Sequence, residues 1–141
     1  MIERIELIAS ATNIRMTGFF MVGYPSETRD DINKTVELAL KLPLHRAQFS
    51  KFLPLPGTEI YNRLIESGEI KHKFLKWDGY QQNNRVIYSP KDISEEELGR
   101  ITKRAFARFY FRPSIMLGLL KEIHSLGQLK IVILRVINIF K

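Results

Sequence analysis

Thr17-Gly-Phe-Phe-Met-Val-Gly23 is a short apolar run bounded by turn residues. This pattern is typical of a strand that is buried on both faces of a parallel sheet. The next residues, Tyr24-Pro-Ser-Glu-Thr28, break the run and predict a turn. A second strand is predicted at Ala47-Gln-Phe-Ser-Lys-Phe-Leu53. The chain is organised around these two strands.

The segment between the two strands predicts an amphipathic helix. Thr28 and Asp31 have the spacing of a capping box at its start, and Pro43 ends the pattern. Its apolar residues fall on one helical face: Ile32, Val36, Ala39 and Leu40. The strand, helix and strand form a βαβ unit, which is parallel and right-handed. Ligands collect where the strands of such sheets end, which here means residues 23–28 and 54–58.

A first amphipathic helix is predicted from the spacing of four apolar residues, Ile2, Ile5, Ile8 and Ala9. Its apolar face needs a sheet, yet only two strands are predicted before Pro54. A two-stranded parallel sheet is not expected to stand alone, because both strands are edges with unpaired backbone groups. We therefore expect the C-terminal part of a barrel whose earlier strands are missing. The alternative is a small α/β domain that recruits a later strand.

Two motifs resemble the fifth and sixth barrel strands of radical S-adenosylmethionine (SAM) enzymes: Gly-Phe-Phe-Met-Val-Gly-Tyr-Pro-Ser-Glu-Thr at 18–28, and Gln-Phe-Ser-Lys-Phe-Leu-Pro-Leu-Pro-Gly-Thr-Glu-Ile-Tyr at 48–61. The resemblance is strongest to the subgroup with a cobalamin-binding domain, whose tail is similar to Phe-Tyr-Phe-Arg-Pro at 109–113. It implies an α/β fold, with the last strands of a partial (β/α) TIM-type barrel followed by a helical C-terminal region. The implied divisions are the barrel part at 1–68, a connecting loop with a possible edge strand at 69–93, and the basic helical region at 94–141.

The resemblance also implies cofactors and partners. SAM is the implied cofactor, and Met21, Val22, Gly23 and Glu27 resemble residues on its side of the pocket. The family holds a four-iron four-sulfur cluster with a CxxxCxxC motif, but this chain has no cysteine and cannot bind the cluster through thiolates. The cluster is therefore expected only in the full-length enzyme, where cobalamin is also possible. The implied partner is the remainder of the barrel, in the same gene product or on a separate chain.

The second strand and its turn supply the other candidate site residues. If Ala47 and Phe49 pack outward under helices, Gln48, Ser50 and Phe52 point into the barrel. Gln48 and Ser50 would then contact substrate or cofactor, or form a hydrogen-bonded polar pair within a barrel layer; both interpretations stay open. Pro56 and Gly57 are added to the predicted cofactor-binding residues because they lie in the turn after the second strand, although turn and capping roles explain both. No catalytic residue and no metal ligand is predicted, since the three histidines lie far apart.

The positive charge is concentrated in the C-terminal region. Residues 1–99 hold 13 Lys and Arg against 14 Asp and Glu, whereas residues 100–141 hold 9 against 1. A capping box, Ser94-Glu-Glu-Glu97, starts this helical region, and Arg112-Pro113 marks a kink or a new helix. Three roles compete for it: packing on its own enzyme, binding an anionic membrane surface, and, less favoured, binding nucleic acid.

The sequence predicts a C-terminal fragment of a radical SAM enzyme that contributes one wall of the SAM and substrate pocket and is inactive alone. The alternative is a noncatalytic basic module that binds a membrane surface or a partner chain through its C-terminal helices. A cytoplasmic location is expected, because we see neither a signal peptide nor an apolar run near the roughly 20 residues that span a bilayer.

Overall fold

The computed structural model of the protein describes residues 2–70, 88–121, 125 and 127. This part of the chain contains five helices and two strands, which confirms an α/β fold. In chain order they are α1 (Ile2–Ala11), β1 (Thr17–Val22), α2 (Arg29–Lys41), β2 (Arg46–Lys51), α3 (Glu59–Glu66), α4 (Glu95–Tyr110) and α5 (Pro113–Lys121).

The two strands form a parallel sheet, as predicted from the βαβ pattern. Their register pairs Thr17 with Arg46 at one end and Val22 with Lys51 at the other. The strands end one and two residues earlier than the sequence pattern predicted, because the turns that follow them begin at Gly23 and Phe52. The described residues contain these two strands alone, so the partial barrel stays a proposal.

Helix α2 begins and ends where its sequence signals place it. The Thr28 hydroxyl accepts a hydrogen bond from the Asp31 amide, and the Asp31 carboxylate accepts one from the Thr28 amide at 3.0 Å, which confirms the capping box. The helix ends at Lys41, before Pro43. Its apolar face is buried at Ile32, Val36 and Ala39.

Helices cover one face of the sheet. Helix α2 packs against β1, and α4 packs against β2. The principal core cluster joins both helices to β2 and to the residues before it: Val36, Ala39, Leu42, Leu44, Ala47, Phe49, Ala105 and Phe109. The Ser94 hydroxyl caps α4 by accepting from the Glu97 amide at 3.1 Å. Ile93 and Leu98, on either side of this cap, are both buried in a second cluster with Val22 and Ile32.

The other face of the sheet is bare in the part of the chain that the structure describes. Its side chains are all exposed: Thr17, Phe19, Met21, Arg46, Gln48 and Ser50. Phe19 is 76% exposed and Met21 53%. The prediction that the first strand is buried on both faces is therefore wrong for this chain, because α2 and α4 both lie on the same side of it.

Helix α1 covers the sheet less than its pattern suggested. Of its apolar residues, Ile5 is packed against the principal core cluster. Leu7 is 65% exposed and Ile8 40%. The expectation that this helix buries an apolar face on the sheet is wrong for all but Ile5 and the half-buried Ala9, because α2 and α4 already occupy the covered face.

Several predictions fall on residues outside the described ranges. These include most of the connecting loop with its possible edge strand at 69–93, and most of the basic helical region after residue 121. Helix α5 does begin at Pro113, so Arg112-Pro113 marks a new helix start. Among the described residues, no helix is both long and apolar enough to cross a membrane.

Candidate functional site

The carboxyl ends of both strands lie together, as a parallel sheet requires. The Phe52 amide, just after β2, donates to the Val22 carbonyl at the end of β1 over 2.8 Å. The ring of Tyr24, in the first turn, meets the Phe52 ring edge-on at a centroid distance of 5.0 Å. The two turns predicted to receive ligands therefore start from adjacent points.

The first turn is a type II turn at 24–27. The Glu27 amide donates to the Tyr24 carbonyl at 2.9 Å, Pro25 occupies the first central position, and Ser26 has φ 75° at the second. A positive φ at that position is usual for glycine and strained for serine. The turn thus stores strain beside the strand ends, which is where functional sites often hold it.

Gly23 precedes this turn and is packed against Leu98 of α4. Its φ is +80°, and a Cβ built on it would lie 2.7 Å from Cδ2 of Leu98. Both observations require glycine, since a methyl group would be strained and would overlap a buried leucine. The Gly23 backbone is therefore placed by packing, whatever ligand lies on its other side.

Glu27 holds the first turn together. Its Oε2 atom accepts hydrogen bonds from the Gly23 amide at 2.7 Å and from the Tyr24 amide at 3.1 Å. These two amides would otherwise lack partners at the end of β1. The structure gives Glu27 a positioning contact with the turn, while its predicted place beside a cofactor stays a prediction.

The bare face brings three of the predicted site residues together. Met21 pairs with Ser50 across the sheet. Gln48, two residues before Ser50 and on the same face, lies opposite Phe19. This gives apolar surface beside an amide and a hydroxyl, a combination that suits a nucleoside or amino acid ligand. Phe19 was not among the predicted site residues, although its alternation with Met21 was a signal that could have included it.

Val22 lies apart from this group. It is 1% exposed and is packed on the covered face with Ile32, Ile93 and Leu98. The structure thus separates Val22 from its neighbour Met21 by the thickness of the sheet. Any contact of Val22 with a ligand on the bare face would have to come from its backbone.

The second turn is explained by its own hydrogen bonds. The Thr58 hydroxyl caps α3 by accepting from the Tyr61 amide at 3.3 Å, and the Thr58 amide donates to the Leu55 carbonyl at 3.2 Å. Gly57 has φ +86°, and the space around its Cα is open. Pro56 is half-buried. The structure therefore supports turn and capping roles at 54–58, and ligand contact there stays a prediction.

Several titratable groups of the described residues form structural pairs. Arg29 donates to both carboxylate oxygens of Glu97 at 2.6 and 2.8 Å, and this interaction holds the pKa of Glu97 below its ordinary value. Burial, together with the nearby charge of Lys103, lowers the pKa of Lys51 at the end of β2. His45 accepts a hydrogen bond from the Met16 amide through Nδ1 at 3.3 Å. In the ranges described, no cluster of three or more His, Asp or Glu side chains is placed to hold a metal ion.

Comparison with known proteins gives partial matches over most of the chain. An uncharacterized methyltransferase of Pyrococcus horikoshii is 28% identical over 125 residues, which are 87% of this chain and 27% of that protein. A tRNA-2-methylthio-N(6)-dimethylallyladenosine synthase of Paracoccus denitrificans is 29% identical over 89% of this chain and 27% of its own length. The enzyme of the same name in Aquifex aeolicus is 26% identical over 82% of this chain and 30% of its own. No family model and no solved structure matches.

The chain thus spans under a third of the length of these relatives. Their names describe a methyltransferase and enzymes that make a methylthio-modified adenosine in tRNA. The resemblance to the cobalamin-binding subgroup gains no support from them.

Proposed function

We propose that this chain forms one wall of the SAM and substrate pocket of a radical SAM enzyme that transfers a methyl or methylthio group. The observation that carries the proposal is the bare face of the sheet, where Met21 and Ser50 are paired near the first turn and Gln48 lies further along the same face. The sequence motifs at 18–28 and 48–61 and the similarity to group-transfer enzymes support the same assignment.

The residues present fit SAM better than they fit a cluster. Without cysteine the chain offers no thiolate to an iron–sulfur cluster, and we assign the cluster to another part of the enzyme. For SAM, the apolar surface of Met21 and Phe19 suits the adenine ring, and the amide of Gln48 and the hydroxyl of Ser50 can donate and accept hydrogen bonds. The chain itself would bind and orient SAM and substrate, and it would exclude water from one side of the pocket.

A titration of the isolated chain with SAM tests this placement by NMR. One wall of a pocket buries only part of a ligand, so binding should be weak, with shift changes concentrated at residues 21–23, Gln48 and Ser50. The control is α3, whose amides should not respond. Gln48→Ala should weaken the response and Asn62→Ala, on exposed α3, should not. Changes confined to other regions, or none at millimolar SAM, would contradict the proposal.

The isolated chain should not cleave SAM. Reductive cleavage needs an electron from a cluster, and the chain lacks the thiolates that hold one. The measurement is the release of 5′-deoxyadenosine after addition of iron, sulfide and dithionite. Robust release from the isolated chain would refute the proposed division of the enzyme.

A second candidate function rests on the start of the basic C-terminal region. Phe111 is 58% exposed, Leu117 is 59% exposed and Met116 is 42% exposed, and residues 100–141 carry 9 basic residues against 1 acidic. Exposed apolar side chains beside excess positive charge are typical of a helix that lies on an anionic membrane. Cosedimentation with anionic vesicles but not neutral ones, weakened by salt, would support this function. Equal binding to both vesicles would refute it, and displacement by tRNA would favour nucleic acid instead.

A further inference from the structure

Three aromatic rings form a line from the first turn to the residues that precede α4. The Tyr24 ring meets the Phe52 ring edge-on, with 5.0 Å between centroids and 71° between planes. The Phe52 ring meets the Tyr88 ring in the same manner, at 5.8 Å and 85°. Edge-on contact is a favoured geometry for aromatic pairs, so each ring restrains the angle of the next. The line therefore connects Tyr88 to the first turn.

Tyr88 is anchored at the far end of this line. It is 4% exposed, and it belongs to the same core cluster as Phe52. Its hydroxyl donates to Oε2 of Glu69 at 2.9 Å, and Oε1 of Glu69 accepts from the Ser67 hydroxyl at 3.0 Å. The ring of Tyr88 is thus held by apolar packing, and its hydroxyl by a carboxylate that is itself held.

Open space adjoins the pair of Tyr88 and Glu69. Both residues line a cavity of about 510 Å³ between the end of α3 and the start of α4. Lys91, also in its wall, brings Nζ to 3.9 Å from Oε1 of Glu69, which is too long for a hydrogen bond. Because this side of the pair faces a cavity, the bond from Tyr88 to Glu69 has a large share in fixing the Tyr88 ring.

Tyr24, at the other end of the line, reaches the candidate site. It is 44% exposed, whereas Phe52 is 7% exposed. The Glu27 carboxylate holds the Tyr24 amide, so the ring can move only about its side-chain torsions, and Phe52 restricts these. Phe52 follows Ser50 by two residues, so the pair of rings borders the end of the bare face. An exposed aromatic ring at strand ends offers a flat apolar surface to a ligand.

We propose that Tyr24 is a further ligand-contacting residue of the pocket, and that Tyr88 is its positioning residue, acting through the Phe52 ring. The inference rests on the function proposed above. Tyr24 offers its exposed ring to SAM, the ligand that function names. Tyr88 lies beyond α3 in the chain, so the shape of the pocket mouth depends on a residue outside the βαβ unit.

The ring signals of ¹³C-labelled tyrosine, recorded by NMR without ligand, test the positioning. Tyr88→Leu removes one ring of the line and should move the Tyr24 signals toward those of unfolded tyrosine. Tyr88→Phe and Glu69→Ala lose only the anchoring bond and should cause a smaller change in the same direction. Glu69→Gln keeps an acceptor oxygen and should leave Tyr24 as it is. Tyr110→Phe is the matched control, because that hydroxyl bonds to the Ala47 carbonyl.

Unchanged Tyr24 signals in Tyr88→Leu would overturn the positioning role. If that variant does not fold, Tyr88→Phe and Glu69→Ala decide, since both keep the buried rings. An equal response to Tyr110→Phe would also overturn it, because the change would then reflect a general loosening of the protein.

Titration with SAM tests the ligand contact. Tyr24→Leu should weaken binding about three- to tenfold, and Tyr24→Phe, which keeps the ring, should restore it. Tyr88→Phe should weaken binding less than Tyr24→Leu does, whereas Tyr110→Phe should leave the affinity unchanged. Unaltered affinity in Tyr24→Leu would overturn the contact and leave the proposed function standing. If the unmodified chain binds no SAM, the proposed function and the contact fail together, and the ligand-free signals still decide the role of Tyr88.

Discussion

The two faces of the sheet differ although they belong to the same strands. On the covered face, Ala47 is 2% exposed and Phe49 4%; on the bare face, Phe19 is 76% exposed and Met21 53%. Both faces carry large apolar side chains, so composition does not explain the difference. The positions of α2 and α4 explain it, because both helices lie on one side. An apolar surface left open beside strand ends is what a shared pocket or interface needs.

The largest predicted effect contrasts two phenylalanines on opposite faces. Phe49→Ala should destabilise the protein by about 3–5 kcal/mol, because it removes a buried ring that stacks on Phe20 at 5.4 Å. Phe19→Ala should change the free energy of unfolding by no more than about 0.5 kcal/mol in the isolated chain, since that ring is exposed. Urea unfolding followed by circular dichroism measures both. Equal losses would show that the bare face is covered in solution.

The next effect probes how closely α4 approaches the sheet. Gly23→Ala should cost about 2–4 kcal/mol, because the new methyl group would combine a positive φ with overlap on Leu98. Gly57→Ala is the control: it has a similar φ but open space, and it should cost about 1–2 kcal/mol. Thermal unfolding of the two variants gives the difference. If Gly57→Ala proved the more damaging, the contact between Gly23 and α4 would be wrong.

A smaller effect, of opposite sign, is expected in the first turn. Ser26→Gly should stabilise the protein by about 0.5–1 kcal/mol, because relief of the strained φ exceeds the added freedom of the unfolded chain. Ser26→Ala keeps the strain and should bring no gain. SAM binding by the same variants tests whether the turn also serves the pocket. If the turn serves only the fold, Ser26→Gly should bind SAM as well as the unmodified chain does. Loss of stability in Ser26→Gly would contradict the assigned turn.

The smallest effect is a pH dependence of the helices on the covered face. Hydrogen bonds from Arg29 lower the pKa of Glu97 from its ordinary 4.5, and a bond from the Thr28 hydroxyl lowers that of Asp31 from 3.8. A carboxyl whose pKa is lower in the folded protein adds stability above the unfolded value and loses it as the pH falls. The Tm should therefore drop below about pH 4.5. Glu97→Gln should reduce the slope of that drop.

The neighbouring exposed carboxylate supplies a control for the pH experiment. Glu96→Gln removes a charge from the same turn of α4 but leaves the contact between Arg29 and Glu97 in place. Its slope of Tm against pH should match that of the unmodified protein. A slope reduced equally by both variants would mean that overall charge, and not the Arg29 contact, sets the dependence.

Local signals were sufficient to predict most elements. The capping residues Thr28 and Ser94 start helices where expected, since an N-cap is recognised by neighbours within three residues. The parallel pairing followed from the βαβ order of the elements. The sidedness of β2 was also predictable, because Ala47 and Phe49 alternate with Gln48 and Ser50.

Long-range arrangement was not predictable from the same signals. A continuous apolar run such as 18–22 does not encode which of its faces will be covered, so the exposure of Phe19 and Met21 was missed. The family resemblance placed both Val22 and Met21 on the cofactor side, although side chains alternate along a strand and these two point to opposite faces. The bond of Tyr110 to Ala47 joins residues 63 positions apart, and a tyrosine on a helix gives no sequence sign of such a contact.

The late position of α4 in the chain has a consequence for synthesis. The helix that covers β2 reaches Ala47 through a residue 63 positions further on. At translation speeds of about 5–20 residues per second, this separation leaves β2 uncovered for about 3–13 s after it emerges. During that interval Phe49 faces water or a chaperone. The face that is best protected in the folded protein is therefore open to aggregation on the ribosome until α4 has been made.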